Sequence, residues 1–240
     1  FSGAGFLAGS AGADEFSPLY DLRADLSSYA GRHLSLRPLA VASSFTGKEL
    51  STPAKLPFPP LPRLNPDEAW QKLGIPGGSK LALLLPGAGW ESKRWPAEHF
   101  AETAASLEKQ GFFIVAAGSP GEKDLCMKVV AGLRSGIALN ESLDLLIALM
   151  PSASLAIAND SGTGHLAAAF GMRVVSLCCS TNPVYVAPLG RDVKILSARC
   201  EFAPHGSAHH CMIFPARECQ FPQWMSIETG AVIAAALEKA

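Results

Sequence analysis

The chain has 240 residues, 48% of them hydrophobic, enough for one large or two modest domains with a real core. Its 20 Lys and Arg balance 21 Asp and Glu, a formal charge of −1, which leaves no basic excess to neutralise a phosphate backbone and excludes a dedicated nucleic-acid binder. Pro151 and Asp160 interrupt the most apolar region, 145–177, before it reaches the ~20 residues of a spanning helix, so a soluble protein is expected.

The chain opens FSGAGFLAGSAG, with no initiator Met and no basic stretch ahead of an apolar core. That pattern does not fit a signal peptide and is read as a piece of a longer product. Apolar positions every three to four residues predict a helix over 22–39, but residues 1–51 carry too little apolar surface for a core of their own. Residues 52–76, TPAKLPFPPLPRLNPDEAWQKLGIP, are dense in proline and are read as a linker, placed at 52–79, with a new domain over 80–240.

Regular alternation follows. LALLL at 81–85 reads as a buried strand, and residues 96–110 as a helix with proline at its start. A strand at 112–118, a helix at 122–133 and a helix at 142–151 capped by Ser142 come next. Strands at 154–159, 173–179 and 193–196 flank a helix at 163–171 that Gly171 ends, and a closing helix is placed at 226–239 with Ser226 in an imperfect capping box. Apolar strands alternating with amphipathic helices predict an α/β fold, a doubly wound parallel sheet of the Rossmann type with ligands beyond the carboxyl ends of its strands.

Two strand-to-helix loops carry candidate chemistry. In PGAGWESKRWP, 86–96, the small residues Gly87, Ala88 and Gly89 allow close backbone approach, while Lys93 and Arg94 place positive charge beside a helix start, a set that suits a diphosphate. The same spacing fits a loop with solvated Lys93 and Arg94 that Trp95 staples to the core. A dinucleotide fingerprint fits less well, because the third glycine is missing and no acidic residue closes the next strand. In NDSGTGHLAAAFG, 159–171, Asp160, Ser161, Gly162, Thr163 and Gly164 precede His165, so amides and hydroxyls can donate to a phosphate or a sugar. Asp160 fits a base or, like Ser161, a helix cap, and His165 also fits a packing role; Gly-x-Ser-x-Gly is absent. Glu122, after the strand ending at Gly118, suits ribose hydroxyls or simply the positive end of a helix.

Of six cysteines, Cys126, Cys178 and Cys179 sit in apolar runs, as small buried hydrophobes in a reducing cytosol would. The segment CEFAPHGSAHHCMIFPAREC, 200–219, adds Cys200, Cys211 and Cys219 to His205, His209 and His210. Its spacing matches no common zinc site, and no metal is expected.

The two loops in this order, with the Gly118 to Glu122 feature and the Thr181-Asn182-Pro183 turn, resemble family 9 glycosyltransferases, the heptosyltransferases of lipopolysaccharide core synthesis. The resemblance covers 80–240 well and implies a GT-B architecture whose carboxyl-terminal domain holds ADP-heptose, with 1–51 a remnant of the acceptor domain. It implies an inverting transfer of heptose to a lipid A core acceptor, without cofactor or metal, in the cytoplasm and in possible peripheral contact with the inner membrane. Lys93, matching the family's Lys-x-Trp-Pro lysine, is implied to offset charge on departing ADP. Asp160, Ser161, Gly162, Thr163, Gly164 and His165 would meet sugar and diphosphate, Glu122 the ribose, and Glu141, Ser142 and Leu143 the adenine. The family's hydroxyl-bearing residues before the lysine are here Ala88 and Gly89, which shifts phosphate binding toward backbone amides. The family's base, an aspartate near the start of its first domain, is expected on the order of 90 residues upstream; Asp14, Asp21 and Asp25 lie too near the connection. An ADP-binding module without transferase activity and a GT-B nucleotide-sugar epimerase are the competing readings.

Overall fold

The structure is a computed structural model that describes residues 8–10, 22–26, 32–50, 65–198 and 226–238. The chain divides into two compact units, Phe1–Pro57 with Val184–Val186, and Phe58–Pro183 with Ala187–Ala240.

In the first unit β1 (Ala8–Ser10) and β2 (Leu22–Ala24) pair in parallel, and α1 (Leu36–Thr46) lies against both. The helix expected over 22–39 is therefore corrected to a strand followed by a later helix. Pro38 explains the shift: it sits in the first turn of α1, where its missing N–H costs nothing, whereas a helix arriving from residue 22 would lose a bond and meet the ring.

The second unit is built on six parallel strands. They are β3 (Lys80–Leu85), β4 (Phe112–Ala117), β5 (Gly136–Leu139), β6 (Leu155–Asn159), β7 (Val174–Cys178) and β8 (Val193–Ser197), in spatial order β5-β4-β3-β6-β7-β8. Connecting them are α3 (Ala97–Lys109), α4 (Lys123–Val130), α5 (Leu143–Leu149), α6 (Gly162–Ala169) and the short α7 (Pro183–Val186), with α8 (Thr229–Leu237) last. Helices cover both faces, so the central strands are apolar on both sides. Along β3, Ala82 and Leu84 enter the core under α3 and α8, while Leu81, Leu83 and Leu85 enter the one under α5 and α6. This confirms the doubly wound α/β expectation.

Three local expectations change. Between the helices expected at 122–133 and 142–151 the sequence predicts no element, yet β5 forms there; only Leu139 of its four residues is buried, so it shows no apolar pattern. Residues of the proline-rich stretch form α2 (Pro66–Lys72), whose Asn65 side chain caps Glu68 N–H at 2.8 Å and whose Ala69 is buried in the second unit's core; 52–64 lie outside the described residues. The last helix is capped at Glu228, without a side-chain bond, rather than at Ser226.

Trp95 ties the unit together. It is fully buried, meets Phe100 edge-on, and donates its indole N–H to the Ile227 carbonyl at 3.0 Å. Trp95→Phe keeps most of the ring but strands that buried carbonyl. It is expected to cost about 1–3 kcal/mol, read as a lower urea midpoint at unchanged m.

Candidate functional site

In a doubly wound sheet the crevice opens where neighbouring strands send their helices to opposite faces, here between β3 and β6. A cleft of about 730 Å³ lies at the carboxyl ends of the strands around that point. Gly87, Ala88 and Gly89 line it after β3, residues 117–120 and Glu122 after β4, 139–143 with Leu146 after β5, and Ser161, Gly162, Thr163 and Leu166 after β6. On the β5 side Leu139, Leu143 and Leu146 alternate with Asn140, Glu141 and Ser142, with Leu143 54% exposed, and on the α6 side Ser161 and Thr163 stand beside Leu166. First-turn amides of α6 have no intrahelical acceptor, and the Ser161 and Thr163 hydroxyls lie 3.1 Å apart beside them. A flat apolar group joined to an anion matches this lining.

The loop 86–95 is held by side chains from three other loops. Asn159, wholly buried, accepts from Trp95 N–H at 3.0 Å and donates to the Pro86 carbonyl at 2.7 Å. Arg94 donates to the Ala88 carbonyl through Nε at 3.2 Å and Nη2 at 2.9 Å, and reaches Glu122 Oε1 at 3.4 Å. Glu122 Oε2 accepts from Ser119 N–H at 2.8 Å and Oγ at 2.9 Å, closing a capping box. From the loop after β7, the Ser180 hydroxyl donates to Ser92 at 3.3 Å.

Lys93 Nζ sits 2.8 Å from Asp160 Oδ2 and 4.7 Å from the centre of the Trp90 ring. Thr181 donates to the same Oδ2 at 2.9 Å, and His165 Nε2 lies 3.9 Å from Oδ1. Burial pushes the Asp160 carboxyl up, but the neighbouring His165 ring, the hydrogen bonds from Lys93 and Thr181 and the Lys93 charge outweigh it and hold it below its ordinary value. An ionised carboxylate so occupied is a poor proton acceptor and a good anchor for an ammonium. Burial, with the Asp160 charge, raises the Cys178 and Cys179 thiols to about 12, so they stay protonated and inert, and both are free of disulfides.

Of the residues singled out in the sequence, Gly87, Ala88, Gly89, Glu122, Glu141, Ser142, Leu143, Ser161, Gly162 and Thr163 share one cleft. Lys93, Arg94, Asp160 and His165 are not among the residues that line it: Lys93 pairs with Asp160, Arg94 with Glu122, and His165 Nε2 lies 3.9 Å from the Asp160 carboxylate. Gly164 lies within α6 on the side turned to β6, where a Cβ would press on Ala158 at 3.0 Å. Ser142 caps α5 through Asp144 N–H at 3.1 Å, and Ser161 is the N-cap of α6. Sequence reading missed Asn159, Asn140 and Ser119 as site residues. Asp25 is exposed; Asp14, Asp21 and 200–219 lie outside the described residues, among which no group of three or more metal-ligating side chains occurs.

Gly87 is small for a reason inside the protein. A Cβ there would overlap the Glu122 carboxylate and force it off Ser119 and Arg94. Gly87→Ala is expected to cost about 1–3 kcal/mol through the displaced Glu122 carboxylate, whereas Gly121→Ala, into open space, leaves stability unchanged; urea denaturation reads both.

The sequence model of glycosyltransferase family 9 (heptosyltransferase) matches residues 4–211. Lipopolysaccharide heptosyltransferase 1 of Pseudomonas aeruginosa is 30% identical over 129 residues, covering 53% of this chain and 36% of that protein. Lipooligosaccharide heptosyltransferase 2 of Haemophilus ducreyi is 28% identical over 204 residues, 77% of this chain and 57% of that protein. The chain thus spans between about a third and three fifths of the length of these relatives. The solved ADP-heptose lipopolysaccharide heptosyltransferase II of Escherichia coli superposes with a TM-score of 0.71 at 20% identity, covering 90% of this chain and 64% of that one, which shows the shared GT-B fold. With the family model spanning most of the chain and both motif loops, the protein belongs to glycosyltransferase family 9.

Proposed function

We propose that this chain is the donor-binding part of a heptosyltransferase that passes heptose, with inversion, from ADP-heptose to a lipopolysaccharide inner-core acceptor. One observation carries the reading: residues of both motif loops and of the ends of β4 and β5 line a single cleft, with three leucines on its β5 side and the Ser161 and Thr163 hydroxyls at the start of α6. Adenine fits between the 117–120 and 139–143 segments, and the diphosphate fits over the first turn of α6. An acceptor hydroxyl attacks the anomeric carbon as its bond to the β-phosphate oxygen breaks, the hydroxyl proton passes to a base on the acceptor side, and charge builds on ADP. Fixed donors aimed at that charge lower the barrier. The α6 amides and Lys93 supply them, while Asp160 acts through Lys93 as a positioning residue.

The relatives named above act as heptosyltransferases, which supports heptose as the sugar and a lipid-anchored core as the acceptor. On this reading the chain works in the cytoplasm and touches the inner membrane peripherally; no described helix is long and apolar enough to cross one. Neither metal nor cofactor takes part in the proposed steps. Calorimetric titration of the 240-residue chain with ADP, UDP and GDP tests the reading, with ADP-heptose as competitor. Selective ADP binding displaced by ADP-heptose is expected; equal affinity for the three nucleotides, or none, overturns it.

A further inference from the structure

Backbone pairing between β3 and β6 ends at Leu85 and Ala158. Just past that point Pro86 turns away to begin the loop, and its ring offers no N–H. Asn159 still pairs through its backbone with Leu177 of β7. Its side chain crosses the other way, to the Pro86 carbonyl and to Trp95 N–H, the first and last parts of the loop. One wholly buried amide thus replaces the missing ladder bond at the strand divergence where the crevice opens.

We propose that Asn159 is a positioning residue for the donor site: by bonding both ends of the loop 86–95 it sets where Gly87, Ala88, Gly89 and Lys93 stand. The assignment rests on the donor-site reading above. The residue after it holds Lys93, so two consecutive side chains at the end of β6 fix the loop's ends and its cation. A ligand that touches the loop feels any shift at Asn159 without touching Asn159. Misplacement of binding groups by about 1 Å is enough for effects of up to a hundredfold.

The test is calorimetric titration of ADP into the 240-residue chain and its Asn159→Asp and Asn159→Leu variants at pH 8 and pH 5.5, below each protein's melting temperature. An ionised aspartate accepts from Trp95 N–H but repels the Pro86 carbonyl; a protonated one donates to that carbonyl and restores both bonds. Asp160, Lys93, Arg94, Glu122 and His165, the charged and titratable groups around the loop, are common to all the proteins, as is the titration of ADP. The ratio to wild type at each pH therefore isolates position 159. Asn159→Asp is expected to bind about tenfold more weakly than wild type at pH 8 and within about twofold at pH 5.5, while Asn159→Leu stays weak at both. If Asn159→Leu does not fold, Asn159→Ser, too short to reach both partners, takes its place. Wild-type affinity in the Leu or Ser variant, or an Asn159→Asp deficit of equal size at both pH values, overturns the assignment with the donor site intact. Wild type that binds no ADP overturns both.

Discussion

Lys93→Ala is expected to weaken ADP binding by roughly 10- to 100-fold, the range for losing a charge-assisted hydrogen bond in a partly enclosed site. The Lys93 side chain is 17% exposed, with its ammonium near both the Asp160 carboxylate and the face of Trp90. Removing it deletes a cation and leaves the buried Asp160 carboxyl without its ion-pair partner. Two comparisons separate these effects. AMP, without the outer phosphate, should lose much less than ADP. The double variant Lys93→Ala, Asp160→Asn should regain part of the loss, because the stranded negative charge goes with it. Equal losses for AMP and ADP in the single variant would place Lys93 away from the outer phosphate. Titration at rising salt should narrow the gap between wild type and variant as the surrounding field is screened.

Much of the second unit was legible because strands buried on both faces must be almost continuously apolar. Leu81–Leu85 and Leu155–Asn159 carry that signal, as do the proline opening α3 and the positive-φ Gly171 after α6. β5 was not, since an edge strand of four residues with one buried side chain has no periodicity to read. α2 was hidden by its setting, although Asn65-Pro66-Asp67-Glu68 is a strong helix start: a capping side chain, proline at the first position and two acids on the positive end. In the site, residue types at strand ends revealed which loops meet a ligand. They did not reveal which side chains hold the loops, because Asn159 to Pro86, Asp160 to Lys93 and Arg94 to Glu122 are set by strand order. Nothing local announces that β3 lies beside β6. Glu122 is the clearest case: either a ribose contact or a favourable charge at a helix start from position alone, it also proves to be the partner of Arg94 and the reason position 87 stays small.

Asp160→Ala is expected to lower stability by about 3–5 kcal/mol near neutral pH, since removing one partner of a buried pair leaves the other uncompensated. The carboxylate is 5% exposed and Lys93 only 17%, which sets this pair apart from surface pairs worth about 1 kcal/mol or less. Its pH dependence has a definite sign. The folded carboxyl titrates below its ordinary value of 3.8, so the unfolded chain binds the proton more tightly, and the stabilisation is full above that value and lost as pH falls through the folded one. Urea denaturation of wild type and Asp160→Ala should therefore give a constant gap from pH 7 to about 5 that narrows below about 4. A gap that widens on acidification, or is under about 1 kcal/mol at pH 7, would contradict this account. An apolar pair of the same volume could match the stability, because desolvating two charges offsets much of their attraction. What it could not do is hold an ammonium in place at 2.8 Å from a carboxylate oxygen that Thr181 also fixes by a hydrogen bond.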